Sequence, residues 1–275
     1  MEVLFAQTYL LLFGKLAFGG LLALAVPDFA TMERGYYKSS AAIYVGLAAV
    51  MALGELYLFV RFGDHSVVPR IALTSWLIFL FLAAAYLIAL FVERPRARAR
   101  AFPAALASGL LALCVTASSY VPQGLSSFAS IAYAACFLAG SAVAGAALSG
   151  MLLGHWYLID RGMDLDPLRR LLKYCRWSLQ AGIITVVTSA AALYLIPESP
   201  WQGRLHSTLS GLPSWLLGGR VFAWSLALLL MRLIRRTLDI PQTMAATGLF
   251  YMASLVIAVG EILGQWLLFR TGLPL

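Results

Sequence analysis

Charge is scarce in this chain. Of its 275 residues only 12% are Asp, Glu, Lys or Arg, where an ordinary soluble domain carries about a quarter. Hydrophobic residues make up 61% and the mean hydropathy is +0.85, which excludes both a water-soluble globular domain and a disordered chain. Cysteine is almost missing as well. Cys114, Cys136 and Cys175 are odd in number and far apart, with no C-x-x-C pair, so neither a disulfide framework nor a zinc or iron–sulfur site is expected. The chain also lacks H-E-x-x-H, G-x-S-x-G and P-loop motifs and any close pair of acids suited to metal-dependent transfer. No catalytic or metal-binding residue is therefore assigned. Most of the 20 basic residues lie in connections between apolar runs, a pattern that excludes a nucleic-acid partner and makes the formal charge of +8 a matter of orientation and lipid contact.

What remains is hydrocarbon-length apolar sequence. A spanning helix needs about 20 such residues, and eight runs qualify: roughly 3–27, 41–61, 71–92, 102–121, 128–157, 178–196, 213–234 and 243–270. Their periodicity is helical or uniform, not alternating, so the expected fold class is all-α, a polytopic membrane helical bundle with eight transmembrane helices. One transmembrane domain fills residues 1–275, with a faint parallelism between 1–122 and 123–275 that would suit two four-helix halves. Ala23-Leu24-Ala25 superficially resembles a cleavage site, but Glu2 and Lys15 do not suit a signal peptide, and the first run reads as a retained helix. The connections after runs 1, 3, 5 and 7 hold 14 basic residues, among them Arg94, Arg96, Arg98 and Arg100, against Arg61, Arg70, Arg204 and Arg270 on the other side. The positive-inside rule then places both termini outside a bacterial-type inner membrane. In the fifth connection, Asp166-Pro167 opens a helix with Leu168, Leu171, Leu172 and Cys175 on one face and basic residues on the other. It reads as an interfacial helix resting on anionic lipid or as a docking surface for a partner.

Four ionisable residues interrupt the apolar runs: Lys15, Glu55, Arg220 and Glu261. At about 1.5 Å rise per residue, Glu55 and Arg220 lie about 9 Å below the outer boundary, Glu261 about 13 to 14 Å and Lys15 about 18 Å. Each costs about 2.5–3.5 kcal/mol at the bilayer centre, so such groups face a partner, the bundle interior or a wet cavity. Two acids and two bases at similar depth point to pairing, and either hold helices together or face a ligand cavity or proton route. Arg220-x-x-x-Trp224 and Glu261-x-x-x-Gln265 put a second polar or aromatic group one turn away on the same face, a mixture suited to a polar ring headgroup. Gly260 and Gly264 flank Glu261 with a spacing that delivers it into a helix interface.

Of the three histidines, His65 falls just outside the second run, about ten residues beyond Glu55. It reads either as a solvated loop residue or as a proton acceptor at the outer mouth of a cavity. His155, beside Trp156 and Tyr157, reads as part of an interfacial aromatic belt, and His206 lies in an outer loop. No two of them are expected to face each other at one depth, so no haem is expected.

Several segments resemble the membrane anchor subunit of dimethyl sulfoxide reductase and, more distantly, the polysulfide-reductase and nitrite-reductase anchors. They are Phe13-Gly14-Lys15-Leu16-Ala17-Phe18-Gly19-Gly20, Gly150-Met151-Leu152-Leu153-Gly154, and Gly260-Glu261-Ile262-Leu263-Gly264 with Phe269. His65 occupies a position like that family's quinol-linked histidine. Lys15 replaces an amide residue, His155-Trp156 departs from the fifth-span pattern, and Gln265 stands where an arginine is usual. The motifs cover about a tenth of the chain; the topology covers all of it. The resemblance implies a haem-free, non-catalytic subunit in anaerobic respiratory electron transport. Menaquinol or ubiquinol would bind between spans 1, 2, 7 and 8, with Lys15, Glu55, His65, Arg220 and Glu261 serving quinone binding or proton transfer. Electrons would pass to an iron–sulfur subunit and on to a catalytic oxidoreductase subunit. The alternative readings are a secondary transporter or proton-coupled carrier built on the same Lys, Glu and Arg set, for which Gly218-Gly219 is the obvious helix break, and a purely structural subunit.

Overall fold

In hydrocarbon an apolar run can satisfy its own backbone only as a helix, and helices are what the computed structural model contains. It describes residues 2–30, 32–62, 67–121, 127–160, 162–195, 200–211, 213–240 and 242–274, and among them there are nine α-helices and no strand. These are α1 (Glu2–Ala23), α2 (Arg34–Phe62), α3 (Val67–Phe91), α4 (Pro95–Ser119), α5 (Ser127–Ile159), α6 (Asp166–Leu195), α7 (Pro200–Ser210), α8 (Ser214–Asp239) and α9 (Thr243–Thr271). Seven of them, all but α6 and α7, are long and apolar enough to cross a membrane. The chain is thus an all-helical, multi-pass membrane bundle.

The outer face of that bundle is apolar in a way water would not tolerate. Phe81, Phe222, Val60 and Leu255 are each more than 60% exposed, far beyond the patches that soluble monomers show. Inside, small residues let helices meet closely, as expected where lipid supplies no hydrophobic drive between them. The tightest crossing joins α1 to α5: a Cβ on Gly19 would strike the backbone carbonyl of Ser141, and one on Gly145 would strike the backbone of Gly19. Side-chain hydroxyls add a few cross-links, including Tyr44 with Ser149 at 2.6 Å, Thr247 donating to the Gly154 carbonyl and Trp76 Nε1 donating to Thr116.

Three features differ from the sequence expectation. The segment 166–176 is not a separate helix on the membrane surface; it is the first third of α6, which runs unbroken for 30 residues, about 45 Å. Nothing in Arg176-Trp177-Ser178 breaks a helix, and Leu168, Leu171, Cys175 and Leu179 are all buried in the core, so protein, not lipid, covers that apolar face. The expected outer loop at 197–212 contains α7. Gly218-Gly219 does not break α8, which is continuous from 214 to 239.

The basic connections gather at one end of the bundle. Glu93 accepts from Arg34 at 2.8 Å and Lys38 at 3.2 Å, Arg169 donates to the Leu238 carbonyl, and the Arg98 guanidinium lies 3.3 Å from the Phe29 ring centroid. At the opposite end, Tyr133 donates to the Gly272 carbonyl and Arg204 reaches the Thr271 carbonyl. Helix α6 joins the two ends. Glu93 holds a left-handed φ of 56°, unfavourable for a residue with a Cβ, and its contacts to α2 offset that strain.

Gly145→Ala should destabilise the protein in detergent by about 1–3 kcal/mol or more through overpacking. Gly46→Ala, with open space around the added methyl, should instead stabilise α2 by about 1 kcal/mol; similar unfolding midpoints for both would contradict the close α1–α5 approach. The Lys38 hydrogen bond and the Arg34 guanidinium hold the Glu93 carboxyl below its usual range. Its stabilising contribution is therefore present above the ordinary carboxyl pKa and disappears as pH falls through the lowered value. Glu93→Gln should melt slightly below the parent at neutral pH and converge with it in acid.

Candidate functional site

Three of the four intramembrane charges meet. Lys15 of α1 points its ammonium at Glu261 Oε2, 2.8 Å away, and Arg220 of α8 reaches Oε1 of the same carboxylate at 3.4 Å. Glu261 has no exposed surface at all, and its two cationic neighbours are also buried. The expected spacing effect is visible here: Gly260 packs on Ala223 and Trp224, and Gly264 leaves the space occupied by the Arg220 guanidinium. Helix α5 supplies the fourth wall, where a Cβ on Gly140 would come within 2.5 Å of Glu261 Oε2. Aromatic faces complete the desolvated shell, with Lys15 5.1 Å from the Phe137 ring centroid and Arg220 4.4 Å from that of Trp224.

The space beside this cluster is small. A cavity of about 20 Å³ lies among Lys15, Phe137, Arg220, Gly264 and Gln265, which suffices for about one water and is far below the roughly 300 Å³ at which ligand pockets begin. Gln265 lines it, is 2% exposed, and has no hydrogen-bond partner for its amide among the described residues. The cluster is an internal ion network, not a ring-sized pocket.

Glu55 stands apart. It is half-buried on α2, with no ion pair among the described residues, and Tyr120, just past the end of α4, lies within electrostatic range of it. The Tyr120 ring packs 5.9 Å from that of Phe137, which lies beneath Lys15, and 5.2 Å edge-on from Phe269 of α9. His65 lies outside the described residues. His155 is exposed at the basic end, with Tyr251 at 3.2 Å, and His206 is exposed on α7 at the other.

Sequence reasoning missed the larger opening. Above Tyr120, a crevice of about 690 Å³ is bounded by α4, α7 and the end of α9, with Arg204, Ser207, Leu268, Phe269 and Arg270 on its walls. Leu268 is common to this crevice and to the small cavity at the ion cluster. The clue lay in Phe269-Arg270, next to the closing helix end; the helical character of 200–210 was needed to make a wall of it. Gly272, in the left-handed conformation at φ 71°, caps α9 and turns the chain at the rim.

Removing the shared carboxylate tests the network. Glu261→Gln leaves Lys15 buried without its acidic partner and should cost about 3–5 kcal/mol in detergent unfolding. Lys15→Met should cost less, and combining the two should recover part of the loss. Additive losses would show that the groups are energetically independent.

Comparison with protein-family models, with curated proteins and with solved structures finds no match to this chain.

Proposed function

We propose that this chain is the quinol-binding membrane subunit of a multi-subunit oxidoreductase, spanning an inner membrane eight times with both termini outside. The observation that carries the reading is the 690 Å³ crevice whose aromatic wall, Tyr120 with Phe269, adjoins the buried Lys15–Glu261–Arg220 network through Leu268. Its volume lies within the range of small-molecule sites, and its few polar groups converge from three elements. Tyr120 and Phe269 offer ring faces or edges to a planar headgroup. Arg204, Arg270 and Ser207 offer donors to its oxygens.

A bound quinol would supply two electrons and two protons on oxidation, the electrons leaving to an iron–sulfur partner and then to a catalytic subunit. This chain's own residues would manage the protons. Glu55, unpaired among the described residues and electrostatically coupled to Tyr120, is suited to accept one, with His65 as the step beyond it. Lys15, Arg220 and Glu261 would act as positioning residues: their network holds α9, and hence Phe269, against α8 and α1.

Eight crossings require α6 to span. In support, its outer face exposes Ile184, Val187, Tyr194 and Leu195, an apolar stripe fit for lipid, and the helix joins the basic end to the opposite one. A proton-coupled carrier is the second reading, favoured by the single-water cavity beside the ion network, which suits a proton better than a solute.

Protein in nanodiscs should bind a menaquinol analogue, and Tyr120→Ala with Phe269→Ala should weaken it about tenfold or more, from about 0.5–1.5 kcal/mol per aromatic contact. Unchanged affinity in the double variant would refute the crevice as the quinol site. Proton uptake by liposomes in the absence of any quinone would favour the carrier.

A further inference from the structure

A second large opening lies at the other end of the bundle and has no part in the quinol reading. Between the first third of α6 and the last turns of α8 runs a groove of about 770 Å³. Arg169, Lys173 and Arg176 project from one face of α6, and Arg232, Arg235 and Arg236 from one face of α8. Asp239 is the only acid on its walls among the described residues, so this lining carries a large excess of positive charge.

Arg169 is committed elsewhere, to Asp166 at 3.8 Å and to the Leu238 carbonyl at 3.2 Å. The first contact lies within α6; the second ties α6 to the end of α8. The other five cations have no acidic partner among the described residues. The Nε of half-buried Arg176 is shielded from solvent and makes no hydrogen bond there. Like charges held this close repel each other unless an anion lies between them. Guanidinium forks match phosphate oxygens two at a time.

We propose that this groove binds the headgroup of an anionic lipid carrying two phosphates, one facing each row of cations. The shared chemistry, a pair of linked phosphates, could also come from a soluble diphosphate, but three observations favour the lipid. The floor is apolar, formed by Leu172, Met231 and Leu238. The mouth lies beside Trp177, 60% exposed and with Lys173 5.7 Å from its ring centroid, the arrangement of an interfacial aromatic anchor. Beyond it, Leu229 and Leu233 of α8 are exposed and extend as an apolar surface for acyl chains. A free diphosphate would use none of these.

The test uses the full chain in phosphatidylcholine nanodiscs, titrated with cardiolipin in one arm and with inorganic pyrophosphate in the other, and read by native mass spectrometry and thermal stability. Cardiolipin should be retained and should raise the unfolding temperature. Replacing Arg176, Arg232 and Arg235 by Gln should weaken retention about 100-fold, from about fivefold for each basic group near an anionic surface. The same number of substitutions at Arg94, Arg96 and Arg100 should change it by no more than about twofold. Equal retention by the two triple variants would overturn the site. Binding of pyrophosphate alone, or its displacement of cardiolipin at equal concentration, would overturn the lipid assignment.

Discussion

A carboxylate with no exposed surface sits between a lysine of the first helix and an arginine of the eighth, and the arrangement of this bundle hangs on it. In hydrocarbon, apolar side chains give helices little reason to choose one neighbour over another. An uncompensated charge does: Glu261 has low energy only where Lys15 and Arg220 both reach it. That requirement joins α1, α8 and α9, elements from the two extremes of the chain, in a single register. Gly140 and Gly264 are part of the same constraint, since each leaves the volume that a charged side chain fills.

The rest of the architecture is arranged around that core. The α1–α5 crossing brings Phe137 under Lys15, and Phe137 hands the contact on to Tyr120 and Phe269 at the mouth of the outer crevice. A rigid ion network below and an adaptable opening above is a workable division of labour for a membrane site: the buried charges hold geometry, and groups at the opening meet a ligand. At the other end the bundle uses charge differently. There the cations of α6 and α8 face a groove over the buried apolar residues Leu172, Met231 and Leu238.

How much of this was legible beforehand depended on the range of the interaction. The helical runs, the asymmetry of basic residues between alternate connections, and the burial of Glu261 between Gly260 and Gly264 are local properties, and each could be read from a single segment. So could the stacking of Arg220 on Trp224, one turn away. The grouping of the four intramembrane charges by depth was only partly informative. Depth places a residue along the bilayer normal but says nothing of which helix it faces, and Glu55 lies at a similar depth to the others without joining them.

The sequence by itself determined that this chain is a helical membrane protein, which end of each helix is basic, and which side chains are too polar to face lipid, because hydropathy and charge act residue by residue. Only the tertiary structure decided that Lys15 and Arg220 share Glu261 while Glu55 stays apart, that 166–195 is one helix, and that the openings lie between α4, α7 and α9 and between α6 and α8. Those outcomes rest on which helices pack together, and that follows from the simultaneous fit of small residues and buried charges across segments from 41 to 246 positions apart.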